Sequence, residues 1–238
     1  MHKYNIQCQC IDCKLREKTI FCGLDSPDLD IVNLNKNCMT FKRGQILFHE
    51  GGNATGMFFL TSGKVKIAKL DVYGSERIIR LSKEGDILGF RTLFSSEKYP
   101  CSAIAIEDSS ACFIPIEIFY KLMENNLDLS RKVLKLLSEE LSLADQKITN
   151  HCNKPVMERI AVALLNIQGV YGFEDDNLTI NASLKRADIA NIIGSTTETA
   201  VRSLSKLKED KIIGYKGKKI KILNHIELVK VANKLGRF

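Results

Sequence analysis

A long uninterrupted helical repeat is the feature that most constrains this chain. Residues 127–150 read LDLSRKVLKLLSEELSLADQKITN, without Gly or Pro, and Pro155 limits any extension of the helix. Apolar residues recur at alternating steps of three and four, which is the a/d seam of a coiled coil. The seam consists of Leu134, Leu137, Leu141, Ala144 and Ile148. At about 1.5 Å per residue such a helix runs roughly 35 Å. This length favours a homodimer spine over the alternative, a helix lying on its own domain's core.

The charge of the chain is concentrated in its second part. From residue 153 onward the chain carries 15 Lys/Arg and 9 Asp/Glu, whereas the first 152 residues carry 20 and 19. A near-neutral N-terminal part and a basic C-terminal part predict that the C-terminal part binds a polyanion. With 238 residues, 45% of them hydrophobic, two modest cores are expected. No apolar run approaches the roughly 18 residues of a membrane span, and the polar N-terminus does not resemble a signal peptide, so we expect a cytoplasmic protein.

Eight cysteines without an export signal favour metal or redox chemistry over a disulfide framework. Cys10 and Cys13 form a Cys-x-x-Cys pair that can reach one metal from one turn of chain, Cys22 can add a third ligand, and Cys8 is a spare. Thiolates suit zinc or an iron–sulfur cluster, and unligated surface thiols are the alternative. Three scattered cysteines are interpreted as small apolar residues: Cys38, Cys101 and Cys152.

Residues 39–115 predict a β-rich domain, because short apolar segments alternate with glycines as in a double-sheet roll or barrel. The stretch FKRGQILFHEGGNATGMFFLTSGKVKI, followed by LSKEGDILGF, resembles the cyclic-nucleotide-binding roll of the Crp/Fnr regulators. Members that bind cAMP have a Glu after the last Gly of the second motif, and an Arg-Ser pair beyond it. Here Phe90 follows Gly89, and Pro100-Cys101-Ser102 stands where the Arg is needed. A buried cyclic phosphate without a charged partner is costly, so cAMP is not the expected ligand.

The sequence resembles the oxygen-sensing Fnr branch of that family more closely. In that branch a cluster-binding Cys lies three residues before the Pro of a strand ending in Ile-Pro, and Cys112 before Pro115 matches it. CIDC resembles the Fnr Cys-x-x-Cys, although the eight residues between Cys13 and Cys22 exceed the usual spacing. The alternative role of Cys112 is to fill the core face of its strand, and Cys8 is the substitute if one ligand is misassigned. The resemblance implies these ligands of a [4Fe–4S] cluster: Cys10, Cys13, Cys22 and Cys112.

The basic C-terminal part carries a helix-turn-helix signature. LKRADIANIIG, at residues 184–194, is a short amphipathic helix closed by glycine, and a second helix capped by Ser195 or Thr196 comes next. IIGYKGKKIKIL, at residues 212–223, predicts a small hairpin, the wing. The alternative is a solvated pair of amphipathic helices that binds nothing.

The second helix is predicted to enter the major groove of DNA. It resembles the family's recognition helix, in which a Glu and an Arg four residues on read the half-site, and Glu198 and Arg202 occupy those positions. A carboxylate suits the cytosine amino group, and Arg suits guanine O6 and N7. Val201 stands where Crp has Gly and Fnr has Ser, and could contact a thymine methyl. The candidate DNA-binding residues are Ser195, Thr196, Thr197, Glu198, Val201, Arg202, Lys206, Lys216 and Lys218, with Lys208 and Lys219 as further phosphate contacts.

Together these patterns predict an α+β, homodimeric Crp/Fnr-type transcription regulator in which an oxygen-labile cluster controls dimerisation and binding to a palindromic double-stranded operator. RNA polymerase is a further expected partner. The alternative is the same architecture responding to haem, nitric oxide, a small effector or nothing. An enzyme is not expected, because no nucleophile–base pair or phosphate loop is found. The predicted parts are a cysteine-rich segment (1–25), a cyclic-nucleotide-binding-like double-stranded β-helix (jelly roll) sensor (26–125), a dimerisation helix (126–152) and a winged helix-turn-helix domain (153–238).

Overall fold

The computed structural model describes residues 9–94 and 98–233. The chain divides into two compact units. The first comprises residues up to 69 and 82–142, and the second comprises 70–81 and the residues from 143 onward. In the described part of the chain, none of the helices has the length and apolar character needed to cross a membrane.

Two four-stranded sheets form the predicted roll. Its strands are β1 (Asn37–Phe41), β2 (Ile46–Phe48), β3 (Gly56–Ser62), β4 (Lys64–Leu70), β5 (Glu76–Lys83), β6 (Ile87–Leu88), β7 (Ser102–Ala105) and β8 (Ser109–Pro115). The sheet orders are β1-β8-β3-β6 and β2-β7-β4-β5. β8 pairs antiparallel with β1 and β3, and β7 pairs antiparallel with β2 and β4. Gly63, at φ 86°, makes the tight turn between β3 and β4 that other residues rarely tolerate. The double-sheet architecture expected from the spacing of the apolar segments is confirmed.

The core of the first unit joins the N-terminal segment, the roll and three helices. The ring of Phe21 lies edge-on to Phe59 of β3 at 5.8 Å and to Phe119 at 6.1 Å between centroids. Leu129 and Val133, each 1% exposed, are buried in the same cluster. The helices of this unit are α1 (Ser26–Asn35), α2 (Ile116–Asn125) and the first part of α3 (Leu127–Asn153), up to residue 142. The first turns of α3 therefore belong to the core that also holds the cysteine-rich segment.

The long helix predicted from the leucine repeat is present as α3. Asn126 caps the start of this helix, because its side-chain oxygen accepts a hydrogen bond from the Leu129 backbone N–H at 3.0 Å. Pro155 lies just past its last residue and begins the next segment, in agreement with the predicted stop.

The second unit contains a helical domain with a two-stranded wing. Its elements are α4 (Val156–Tyr171), α5 (Arg186–Ile193), α6 (Thr197–Glu209), β9 (Ile213–Lys216), β10 (Lys219–Ile222) and α7 (His225–Ala232). Apolar side chains from α4, α5, α6 and α7 meet in one core, including the fully buried Ile160, Ile189, Leu204 and Leu228. β9 and β10 pair antiparallel as the predicted hairpin. This is a winged helix-turn-helix, as the sequence predicted.

Candidate functional site

The turn between α5 and α6 orients the second helix. Gly194 ends α5 in the left-handed region, at φ 63° and ψ 47°, which glycine adopts without a steric penalty. Of the two predicted caps, Thr196 caps α6: its hydroxyl accepts a hydrogen bond from the Thr199 backbone N–H at 3.2 Å, whereas Ser195 lies one residue earlier. The buried side of α6 is formed by Ala200, Leu204 and Leu207. The opposite side of α6 is therefore fixed towards solvent.

The exposed side of α6 carries the residues predicted to read DNA. Thr197, Glu198, Val201 and Arg202 are all exposed there. Glu198 and Arg202, one helical turn apart, form an ion pair with each other. Because an exposed pair of this kind contributes little free energy, both side chains can exchange this contact for contacts with base edges at little cost.

The wing lysines are held by two carboxylates that the sequence patterns did not single out. Lys216 Nζ lies 2.9 Å from Glu174 Oε2 and 3.9 Å from Asp176 Oδ2, and Lys219 binds the other Glu174 oxygen. Hydrogen bonds from Lys219 and Lys216 lower the pKa of Glu174, and its hydrogen bond to Lys216 raises the pKa of that lysine. Lys216 therefore helps to position the wing, whereas Lys218 is exposed at the hairpin turn.

Two cations converge on the wing tyrosine. The Arg186 guanidinium carbon lies 4.5 Å from the centroid of the Tyr215 ring, and Lys208 Nζ lies 5.7 Å from it. These cation–π contacts join the start of α5, the end of α6 and the wing into one basic surface. Lys206 lies on α6 with its Nζ 3.4 Å from Asp210 Oδ1. Sequence reasoning missed Arg186 because only the packing of α5 brings it to the wing.

Part of the predicted seam lies open on α3. Leu134 and Leu141, one heptad apart, are 63% and 65% exposed. Leu137 instead packs in part against the core of its own unit, and Ala144 is half-buried. The Ile148 side chain is outside the described residues. Exposed leucines in register along one helix are the pattern expected of an interface with a second copy.

Cys112 on β8 faces another thiol. The register of β1 and β8 places it directly opposite Cys38, and the two Sγ atoms are 2.7 Å apart. Burial raises the pKa of the Cys112 thiol, and its hydrogen bond with Cys38 adds to that rise. Strand pairing therefore brings Cys38 next to a predicted metal ligand, a contact that its interpretation as a small apolar residue did not include. Cys101 is buried, and the side chain of Cys152 lies outside the described residues.

One cysteine of the N-terminal segment, Cys10, approaches the same strand pair. Lys36 Nζ donates a hydrogen bond to Cys10 Sγ at 3.2 Å. Burial lowers the pKa of Lys36, but this hydrogen bond and the nearby thiols of Cys10, Cys112 and Cys38 raise it overall. Burial raises the pKa of Cys10, Lys36 opposes the rise, and Cys13 adds to it. Cys10 and Cys112 therefore share one neighbourhood with Lys36, and Cys13 lies next to Cys10.

Cys22 is placed differently from the other predicted ligands. Its backbone carbonyl accepts a hydrogen bond from Lys132 of α3, and its thiol contacts no other cysteine of the described residues. Among residues 9–94 and 98–233, no group of three or more His, Cys, Asp or Glu side chains is arranged to hold a metal ion, and Cys8 lies outside these ranges. The thiols fit an iron–sulfur cluster in donor type, and Cys10 lies close to two other predicted ligands, Cys13 and Cys112.

Aromatic side chains lie close to Gly89, after which the cAMP-binding members have their Glu. Phe90, which follows Gly89, is 2% exposed. The Tyr99 ring stacks on Phe48 at 4.1 Å between centroids, and its hydroxyl donates a hydrogen bond to the Gly56 carbonyl at 2.7 Å. Phe90 itself packs in the apolar core of the first unit, so the position of the missing Glu is an apolar one in this chain.

The chain is similar to known regulators over nearly its whole length. Two family profiles match it, the cyclic nucleotide-binding domain over residues 38–126 and the Crp-like helix-turn-helix domain over residues 158–231. It is 30% identical to the fumarate and nitrate reduction regulatory protein of Vibrio cholerae, over 94% of this chain and 90% of that protein. It is 27% identical to the anaerobic regulatory protein of Pasteurella multocida, over 94% and 82%. The structure of FixK2 from Bradyrhizobium japonicum is 25% identical and matches with a TM-score of 0.73, over 82% of this chain and 96% of that one.

Proposed function

Because the chain belongs to the Crp/Fnr family of DNA-binding transcription regulators, and is not an enzyme, we propose that it responds to oxygen through a [4Fe–4S] cluster. The proposed ligands are Cys10, Cys13, Cys22 and Cys112. The names of two relatives, an anaerobic regulatory protein and a fumarate and nitrate reduction regulatory protein, support an input linked to oxygen supply. A cytoplasmic location and contact with RNA polymerase belong to the same proposal.

The observation that carries the proposal is the convergence of Cys112 with Cys10 and Cys13. Cys112 comes from a strand of the roll and the other two from the N-terminal segment. Lys36 lies beside Cys10 and Cys112, and Cys13 lies beside Cys10. Soft thiolate donors from two parts of a fold are the usual holders of iron–sulfur clusters. When bound, such a cluster would supply an oxygen-labile tie between the N-terminal segment and β8.

The cysteine-rich segment is packed against the helix proposed to form the dimer. Phe21 and Leu24 are buried in the same core as Leu129 and Val133 of α3. Lys132 of α3 also donates a hydrogen bond to the Cys22 carbonyl. A change in the position of this segment therefore alters the support of the first turns of α3. This contact is the physical route by which ligand binding at the thiols can favour pairing of two copies.

In the proposed dimer, each α6 lies in a major groove. Glu198 and Arg202 discriminate bases, and exposed lysines such as Lys218 contact phosphates. A two-fold dimer presents two such helices about one helical turn of DNA apart, which requires a palindromic operator. Loss of dimerisation therefore weakens operator binding even though the DNA-binding domain of each copy remains folded.

Operator binding with and without oxygen tests the proposal. A duplex selected by the anaerobic protein from a random pool serves as the operator. We expect wild type to bind it as a dimer without oxygen and more weakly after exposure to air, and Cys13→Ala to bind weakly in both conditions. Cys101→Ala is the matched control, because it removes a thiol outside the proposed ligand set. Equal affinity in air and without oxygen, with Cys13→Ala binding like wild type, would refute the proposal.

A further inference from the structure

Cys38 and Cys112 form a thiol pair that is built into the sheet. They lie directly opposite each other on antiparallel strands, their Sγ atoms are 2.7 Å apart, and both thiols are free and partly exposed. Residues facing each other across such strands have Cα atoms about 4.5 or 5.5 Å apart. Disulfides span Cα distances of roughly 4.4–6.8 Å. The two strands therefore place Cys38 and Cys112 within the Cα separation that a disulfide requires.

The register of the sheet selects this pair. On the other side of β8, Cys112 faces Phe59 of β3, which has no thiol to offer. β1 is at the edge of its sheet, so Cys38 has a strand neighbour on one side alone. Cys10 of the N-terminal segment accepts a hydrogen bond from Lys36 Nζ at 3.2 Å. Within the described sheet, Cys38 is therefore the thiol placed to react with Cys112.

We propose that Cys38 and Cys112 are a redox-active dithiol, which a low-molecular-weight disulfide such as glutathione disulfide converts to an intramolecular disulfide. One protein thiolate attacks a glutathione sulfur, forms a mixed disulfide and releases one glutathione. The second protein thiolate then attacks the protein sulfur of the mixed disulfide and releases the other glutathione. The protein loses two electrons and two thiol protons, and both end on the two glutathione thiols.

The pair does not depend on the proposed cluster, but one consequence rests on it. A Cys112 sulfur bonded to Cys38 has no thiolate left to bind a metal. If Cys112 is a cluster ligand, disulfide formation and metal binding exclude each other. After metal loss under oxidising conditions, the disulfide then prevents Cys112 from binding metal again until a thiol reductant reduces it.

Peptide mapping of the full chain tests the pair. Reduced protein, freed of metal with a chelator, is treated with glutathione disulfide, its free thiols are alkylated, and the peptides are mapped without reduction. We expect the main cross-link to join Cys38 and Cys112, with the pair two hydrogens lighter than its separate peptides and Cys101 alkylated. Cys101→Ala should keep this cross-link and Cys38→Ala should lose it. A cross-link of Cys112 mainly to Cys10 or Cys13, or an alkylated Cys112 after treatment, would overturn the proposal.

Iron analysis separates this proposal from the proposed function. Cys38→Ala, purified without oxygen, should retain the iron content of wild type while losing the cross-link. Loss of iron in that variant would overturn the assignment, because Cys38 would then be a metal ligand rather than a partner of Cys112. A wild-type protein without iron that still forms the Cys38–Cys112 cross-link would refute the cluster and support the pair.

Discussion

The DNA-reading helix pair and the thiol neighbourhood are assembled in opposite ways. In the helix pair the decisive contacts are local. Thr196 accepts a hydrogen bond from the Thr199 backbone N–H, and Glu198 forms an ion pair with Arg202, one helical turn further on. In the thiol neighbourhood Cys112 meets Cys38 across 74 positions of sequence. A local site is present whenever its helix is folded, whereas a non-local one depends on strand register and on the docking of a separate segment. A signal that acts on the thiols is therefore expected to change DNA binding by changing how two copies pair, without refolding the helix-turn-helix domains.

The largest effect is expected from breaking the pairing of α3. Leu141→Glu should place like charges at the proposed interface, cost several kcal/mol of dimer stability and abolish operator binding. Sedimentation at matched concentrations measures the oligomeric state, and circular dichroism checks that the monomer is folded.

Leu34→Glu is the matched control for that variant. Leu34 lies on α1 and is 82% exposed, compared with 65% for Leu141, and it is outside the seam. It should remain dimeric and bind the operator like wild type. A dimeric Leu141→Glu would show that the seam is not the interface.

The next effect concerns the non-local site. Cys13→Ser and Cys112→Ser should each lose iron, the broad visible absorbance at about 400 nm and the dimer together, even without oxygen. Cys101→Ser should retain all three. The iron content of Cys8→Ser decides between Cys8 and Cys10 as the ligand. Wild-type iron content would mean that Cys10 is the ligand, and loss of iron would mean that Cys8 is. Retained iron in both Cys13→Ser and Cys112→Ser would remove the thiol neighbourhood from the mechanism.

A smaller and more selective effect is expected at the local site. Arg202→Ala should lose roughly 1–3 kcal/mol of affinity for the cognate operator and leave binding to random DNA nearly unchanged. Titrations of both duplexes at one salt concentration measure this difference. Equal losses on the two duplexes would mean that Arg202 contacts phosphate rather than a base.

The smallest effect is expected at the wing. Lys218→Ala should weaken binding to all sequences alike and lower the slope of log affinity against log salt by about one. Lys216→Ala should do the same and also loosen the wing, because Lys216 binds Glu174 at 2.9 Å. Hydrogen exchange of β9 distinguishes the two variants, and no change of salt slope in either would exclude phosphate contact by these lysines.

The local parts of the molecule could be predicted from the sequence and the non-local contacts could not. The leucine repeat, the closing Gly194 and the lysine-rich hairpin each carry their signal within a few residues, and α3, the α5–α6 turn and the wing are confirmed. The contact of Cys38 with Cys112 depends on the register of β1 and β8, and a slip of one residue would turn Cys38 to the opposite face.

Electrostatic partners were missed for the same reason. Glu174 precedes its lysine partners by more than forty positions, so no spacing rule connects them. Cys22 as a ligand stays a prediction, as do the domain boundaries and the identity of each DNA contact. At the thiols, the sequence predicted the type of metal donor. Which residues the thiols contact is decided by the pairing of the strands.

The composition of the anaerobically purified wild-type protein tests the central claim most directly. Iron, sulfide and zinc are assayed per chain, and the visible spectrum is recorded before and after exposure to air. We predict about four iron and four sulfide per chain, the stoichiometry of one [4Fe–4S] cluster, with a brown color and an absorbance that fades in air. A colorless protein with tightly bound zinc, or with no metal, would contradict the account and leave only the DNA-binding regulator.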